Sequence, residues 1–181
     1  FAISDASFGL LVSAYSLAAG VSGMAASLVI DRFERKRALL LLYAGFILAT
    51  LACGLANSFG ALMAARVAAG TFGGVLGALV TTIVGDAISY ERRGRAMGVV
   101  MSAFSLSTVA GVPASLFLAS HWGWHWPFMA IAMVSVPVWL VAWRVVPTLS
   151  AHLKGAAEGS SLQQLTRVLA DVNHWRAFGL S

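Results

Sequence analysis

Charge is missing from long stretches of this chain. No Asp, Glu, Lys or Arg falls within 6–30, 38–65, 67–85 or 96–143. A helix needs about 20 mostly apolar residues to cross a hydrocarbon core of about 30 Å. The first and third stretches each fit one crossing. The second covers one crossing, a turn and the start of the next, and the last holds two with a break between. The pattern predicts an all-α, polytopic transmembrane bundle with about five complete spans, at 8–30, 38–56, 61–85, 96–119 and 127–146. The breaks are of two kinds. Segments 31–37 and 86–95 are charged loops, the first with four bases and two acids. Asn57-Ser58-Phe59-Gly60 and the Trp- and His-rich stretch 120–126 carry no charge.

That alternation sets an orientation. The two charged loops and the chain from Arg144 onward hold every Lys and Arg except Arg66. By the positive-inside rule the basic loops 31–37 and 86–95 are cytoplasmic, in an inner or plasma membrane. Trp122, Trp124 and Trp126 suit the opposite membrane interface, where indoles concentrate.

Composition agrees: 59% of residues are hydrophobic, 10% are charged, and the mean hydropathy is +0.84. Soluble domains average about 25% charged residues. The net charge of +5 sits in short loops between apolar runs, so it reads as a topology signal and gives no case for nucleic acid. The single cysteine, Cys53, cannot form an internal disulfide and reads as a packing residue. His121 and His125 have i, i+4 spacing, but no acid or cysteine accompanies them, so no metal site is expected. No cofactor motif is present. Neither a phosphate loop, a nucleophile triad nor paired catalytic carboxylates can be found, which argues against an enzyme such as an ATPase or a membrane hydrolase.

Beyond Pro147 the pattern changes. Segment 151–161 is small, polar and glycine-containing. Leu162, Leu165, Val168, Leu169 and Val172 then recur at helical spacing with polar residues between them, which predicts an amphipathic helix on the membrane face. The expected organisation is 1–147 transmembrane, 148–174 a cytoplasmic central linker with that amphipathic helix on the cytoplasmic face, and 175–181 the start of another span. The first residues, including Asp5, read as the end of a loop, and both ends read as cut.

Ser27-Leu28-Val29-Ile30-Asp31-Arg32-Phe33-Glu34-Arg35-Lys36-Arg37 resembles the signature G-x-x-x-D-R-x-G-R-K/R of the major facilitator superfamily. Asp31, Arg32, Arg35 and Lys36 match, while Ser27 and Glu34 stand in place of the two glycines. Glu91-Arg92-Arg93-Gly94-Arg95-Ala96-Met97-Gly98 resembles the family's E-R-G-R-A-x-G loop. Gly123-Trp124-His125-Trp126-Pro127-Phe128 resembles its G-W-R-x-x-F segment, with His125 in place of arginine. Arg66 through Gly70 resembles the R-x-x-x-G motif associated with proton coupling in antiporters. Ala110-Gly111-Val112-Pro113 resembles the Gly-Val-Pro variant of sugar-efflux-like members. The resemblance covers about 1–147, so the five spans correspond to the family's second to sixth.

Physical reasoning adds roles and leaves alternatives open. Asp31 can accept hydrogen bonds from Arg35 or a neighbouring helix N-terminus, and Asp86 can join that cluster with Arg92. Such contacts form a conformational latch if they exist in one conformer and break in another; otherwise the loop only sets orientation. Arg66 is the one charge well inside a span and costs roughly 2.5–3.5 kcal/mol on insertion scales. It faces a partner or watery cavity, or it snorkels to the interface. Tyr15 lines a cavity or packs between helices. Gly70 and Gly74, like Gly73 and Gly77, form a G-x-x-x-G pair that permits close packing or sliding. Pro113, with Gly111, frees a carbonyl and bends the fourth span.

The resemblance implies a secondary active transporter with two six-helix halves and alternating access. Its activity would be proton-coupled efflux of a small organic solute, a sugar or a drug. The implied partners are the lipid bilayer, a small-molecule substrate, protons and the C-terminal half of the same transporter. The alternative is a non-transporting sensor or assembly subunit that keeps the fold.

Overall fold

The computed structural model describes residues 5–30 and 33–146, and every regular element among them is helical. The expected linker and amphipathic helix beyond Pro147, and the residues Asp31 and Arg32, lie outside the described residues. In chain order the helices are α1 (Asp5–Val29), α2 (Arg35–Gly54), α3 (Phe59–Ala87), α4 (Tyr90–Leu106), α5 (Val112–Trp122) and α6 (Trp126–Val145). A π-helical segment, Ser107–Gly111, joins α4 to α5, so these form one span from Tyr90 to Trp122. Five candidate spans are therefore long and apolar enough to cross a membrane.

The helices reach further into the charged segments than the hydrophobic pattern predicts, and capping explains one case. Arg35, Lys36 and Arg37 form the first turn of α2. Cations are unfavourable at a helix N-terminus, but Glu34 is the N-cap. Its carboxylate accepts from the backbone N–H of Lys36 and of Arg37, each at 2.9 Å. Glu34 has φ −62° and ψ 123°, a conformation open to any residue, so the signature's glycine is not needed here. Similarly, α4 starts at Tyr90 inside the expected 86–95 loop, with Glu91 in the first turn, where the helix dipole favours an anion. Ser58 caps α3, its hydroxyl accepting from the N–H of Ala61 at 3.2 Å.

The opposite turn depends on Gly123, whose φ of 99° is the only positive one among the described residues. A side chain there would be strained. The turn reverses the chain between α5 and α6 and leaves Trp122 and Trp126 with ring centroids 5.9 Å apart.

α3 is the central helix, packed against α1 on one side and α2 on another; α2 packs in turn against α6. In lipid, association rests on close packing and polar contacts rather than water exclusion, and both are present. A Cβ on Gly74 would strike the Ala19 carbonyl and lie 2.6 Å from the Ser22 hydroxyl; one on Gly70 would strike the Tyr15 carbonyl. The Gly70/Gly74 pair is thus where α3 presses on the α1 backbone. Gly77 has nothing within 4 Å of its Cβ position. At the same crossing the Ser22 hydroxyl donates across to Thr71 O at 3.0 Å. Between α2 and α6, the Trp139 indole donates to Leu40 O at 2.8 Å. The span containing α4 and α5 meets α3 and α6 but has no buried residue.

Candidate functional site

The first cluster lies at the basic end. α2 starts there and α3 finishes there, because the helices run antiparallel. Arg35 is 3% exposed. Its Nε donates to Asp86 Oδ2 at 3.0 Å, and its Nη1 donates to Ile30 O at 3.0 Å. One guanidinium therefore ties the end of α1 to the start of α2 and the end of α3. Asp86, at 35% exposed, is the solvent-facing member. This geometry brings Arg35 and Asp86 together. It does not bring in Arg92, which lies exposed in the first turn of α4 beside a shallow cavity shared with Arg95 and Val99. Lys36 is half-buried.

The second cluster surrounds Arg66. Arg66 is the eighth residue of α3, about 10 Å along the helix from Phe59 at 1.5 Å per residue. It is half-buried, and its guanidinium carbon lies 5.2 Å from the Tyr15 ring centroid and 5.5 Å from that of Phe128. Those distances are within cation–π range. Tyr15 comes from α1, Phe128 from α6, and Phe46, Thr50 and Cys53 from α2. Together with Arg66 they line a small cavity of about 110 Å³. Arg66 thus lies among side chains from α1, α2 and α6. Tyr15 does both things considered for it: it lines this cavity, and its hydroxyl sits 3.0 Å from where a Cβ on Gly73 would lie.

The third feature is the π-helical segment in the fourth span. Gly111 ends the π-helical segment and Pro113 sits in the first turn of α5. Proline has no N–H and clashes with the carbonyl four residues earlier. A π-turn absorbs this locally, and such turns recur at functional positions. No neighbour lies within 4 Å of a Cβ at Gly111.

Sequence reading overlooked several participants. His125 takes a motif position usually held by arginine, and its Nδ1–H donates to Gly54 O at 2.7 Å. It therefore caps the end of α2 from the start of α6, with Trp124 stacked at a 3.6 Å centroid distance. Thr50 and Phe128 join the Arg66 cavity; nothing in its local sequence marks Thr50, and Phe128 was visible only as the last position of the G-W-R-x-x-F-like segment. Pro137 lies inside α6 and was visible as a proline within an apolar run.

Comparison with known proteins agrees with this architecture. The family model described as Major Facilitator Superfamily matches residues 1–180. The chain is 31% identical over 147 residues to the uncharacterised MFS-type transporter YceJ of Bacillus subtilis, covering 81% of this chain and 37% of that protein. It is 31% identical over 139 residues to the multidrug resistance protein fnx1 of Schizosaccharomyces pombe, covering 76% and 25%. It is 25% identical over 155 residues to a probable sugar efflux transporter of Helicobacter pylori, covering 86% and 40%. The chain thus spans about a quarter to two fifths of the length of these curated relatives. With five membrane-length helices and the family match over nearly its whole length, this multi-pass membrane chain belongs to the major facilitator superfamily.

Proposed function

We propose that the protein is a secondary active transporter that exports a small organic solute by alternating access, driven by protons. The observation that carries this is the position of Arg66, a permanent cation among Tyr15, Thr50 and Phe128 at a meeting point of four helices. A charge inside a membrane bundle is costly and marks a transport or coupling pathway by default. The names of the relatives, multidrug resistance and probable sugar efflux, support export and leave both solute classes open. Arg66 acts as the coupling cation, with Tyr15 as a cavity wall.

In this reading the basic end faces the cytoplasm, and the Arg35–Asp86 pair is the core of a latch that includes Asp31, Arg32 and Lys36. A pair joining α2 to α3 holds one conformer and opens in another, biasing a two-state equilibrium. The π-helical segment that ends at Gly111, ahead of Pro113, lets the fourth span flex. The C-terminal half of the transporter supplies the rest of the solute path.

The test is a proteoliposome assay on the full-length protein. A solute gradient should produce a pH change in the lumen, and Arg66→Ala should abolish it while membrane insertion stays normal. Wild-type coupling in that variant would refute the role of Arg66. No pH change and no solute flux in the wild type would favour a non-transporting membrane protein.

A further inference from the structure

Between α1, α2 and α3, next to the Arg35–Asp86 pair, lies an apolar groove. Its volume is about 440 Å³ and its lining includes Ala25, Ile30, Phe33, Ala38, Leu41 and Val75. Among the described residues, the only polar side chain on its wall is Ser22. That hydroxyl is already engaged with Ala19 O and Thr71 O, at 3.2 and 3.0 Å. Ordered water needs two to four polar partners, and an apolar cavity without them stays dry. The groove therefore wants an apolar occupant. At about 30 Å³ per water-sized group it holds on the order of fifteen groups, the bulk of one acyl chain.

The rim specifies the rest of that occupant. Arg37 stands one helical turn before Leu41, on the same flank of α2, and is exposed. Among the described residues the acid beside it is Glu34, whose two carboxylate oxygens accept from the Lys36 and Arg37 N–H groups. The groove thus presents an apolar wall under a basic rim at a membrane surface. We propose that it is a lipid site: one acyl chain of an anionic phospholipid lies between α1 and α2, with its phosphate at Arg37. An occupant there packs on Ile30, whose carbonyl holds Arg35, so the lipid braces the same residues as the ion pair. The proposal depends on the membrane setting and not on the solute or the coupling ion.

The test uses the full-length protein in nanodiscs of equimolar phosphatidylglycerol and phosphatidylcholine, with retained lipid read by native mass spectrometry during stepwise delipidation. The last retained lipid should be phosphatidylglycerol, favoured about fivefold, since one surface cation contributes about a fivefold preference for anionic lipid. Arg37→Gln should erase most of that preference and keep retention. Ala38→Trp, which fills the groove, should remove the retained lipid; Ala25→Leu is the milder variant if Ala38→Trp does not fold. The proposal is overturned if folded groove-filling variants retain lipid as the wild type does, or if the preference survives Arg37→Gln. It is also overturned if a photo-crosslinker at Leu41 captures another helix of the protein in place of lipid.

Discussion

Replacing Gly74 by alanine tests the α1–α3 crossing directly. The added Cβ would strike the Ala19 carbonyl and sit 2.6 Å from the Ser22 hydroxyl. Ordinary contact is about 3.5–4.0 Å between heavy atoms, so the helices must part by about 1 Å. Backbone cannot swing aside as a side-chain tip does, and overpacking of this kind costs about 1–3 kcal/mol. The same movement stretches the Ser22–Thr71 hydrogen bond beyond its present 3.0 Å, losing about 0.6 kcal/mol by the average for such bonds in a membrane protein. Alanine's better helix propensity returns about 1 kcal/mol. The expected net is a loss of about 0.6–2.6 kcal/mol. Gly77→Ala, one turn further along α3 with no neighbour within 4 Å, gains the same propensity and meets no clash. Thermal unfolding of the full-length protein in detergent, followed by tryptophan fluorescence, should therefore rank Gly74→Ala well below Gly77→Ala. If Gly74→Ala melts with or above Gly77→Ala, α3 does not press on α1 as described, and the packing reading of the glycine pair fails.

Other outcomes follow from single contacts. Asp86→Asn removes the charge facing Arg35; because Asp86 is 35% exposed, water offsets part of the loss, and about 1–2 kcal/mol is expected. If the pair is a latch, that variant also shifts the accessibility of cysteine probes at the two ends of the bundle, and an unchanged labelling pattern would speak against it. Glu34→Ala deletes the N-cap of α2 and should lower the melting stability by about 1 kcal/mol, while Glu34→Asp should retain most of it. His125→Phe keeps an aromatic ring on Trp124 but loses the bond to Gly54 O, for about 1 kcal/mol; a melt identical to wild type would mean that the cap at the end of α2 is dispensable.

The hydrophobic pattern located all five spans because lipid excludes charge over about 30 Å regardless of what a helix packs against. The ends of the spans were less legible. A charged first turn can protrude past the hydrocarbon and still be helical, and whether it does depends on a cap. Glu34 occupies a position where a glycine was expected, and only its bonds to the Lys36 and Arg37 N–H groups explain why α2 begins at Arg35. The same holds for α4, where Tyr90 and Glu91 open a helix inside the expected loop.

Of the candidate site, Arg66 stood out as a lone charge in an apolar run. That Tyr15, Thr50 and Phe128 surround it was not legible, because they come from three other helices and lie 16 or more positions away in the sequence. The contact between Arg35 and Asp86 spans 51 positions. Each residue was singled out separately, and the antiparallel course of α2 and α3 brought them to one end. Arg92 was equally conspicuous in sequence, yet lies apart from that pair.

What the sequence by itself determined is the solvent: long uncharged runs and alternating basic breaks require a bilayer and an all-helical course through it. The tertiary structure decided which faces meet. The Gly70/Gly74 pair turned to α1 while Gly77 was left open, Arg66 was set between two aromatic rings, and an apolar groove remained between α1 and α2. Hydropathy repeats along one chain and is readable locally. Helix rotation and pairing depend on contacts between residues far apart in sequence, set by the close fit of small side chains and a few interhelical hydrogen bonds.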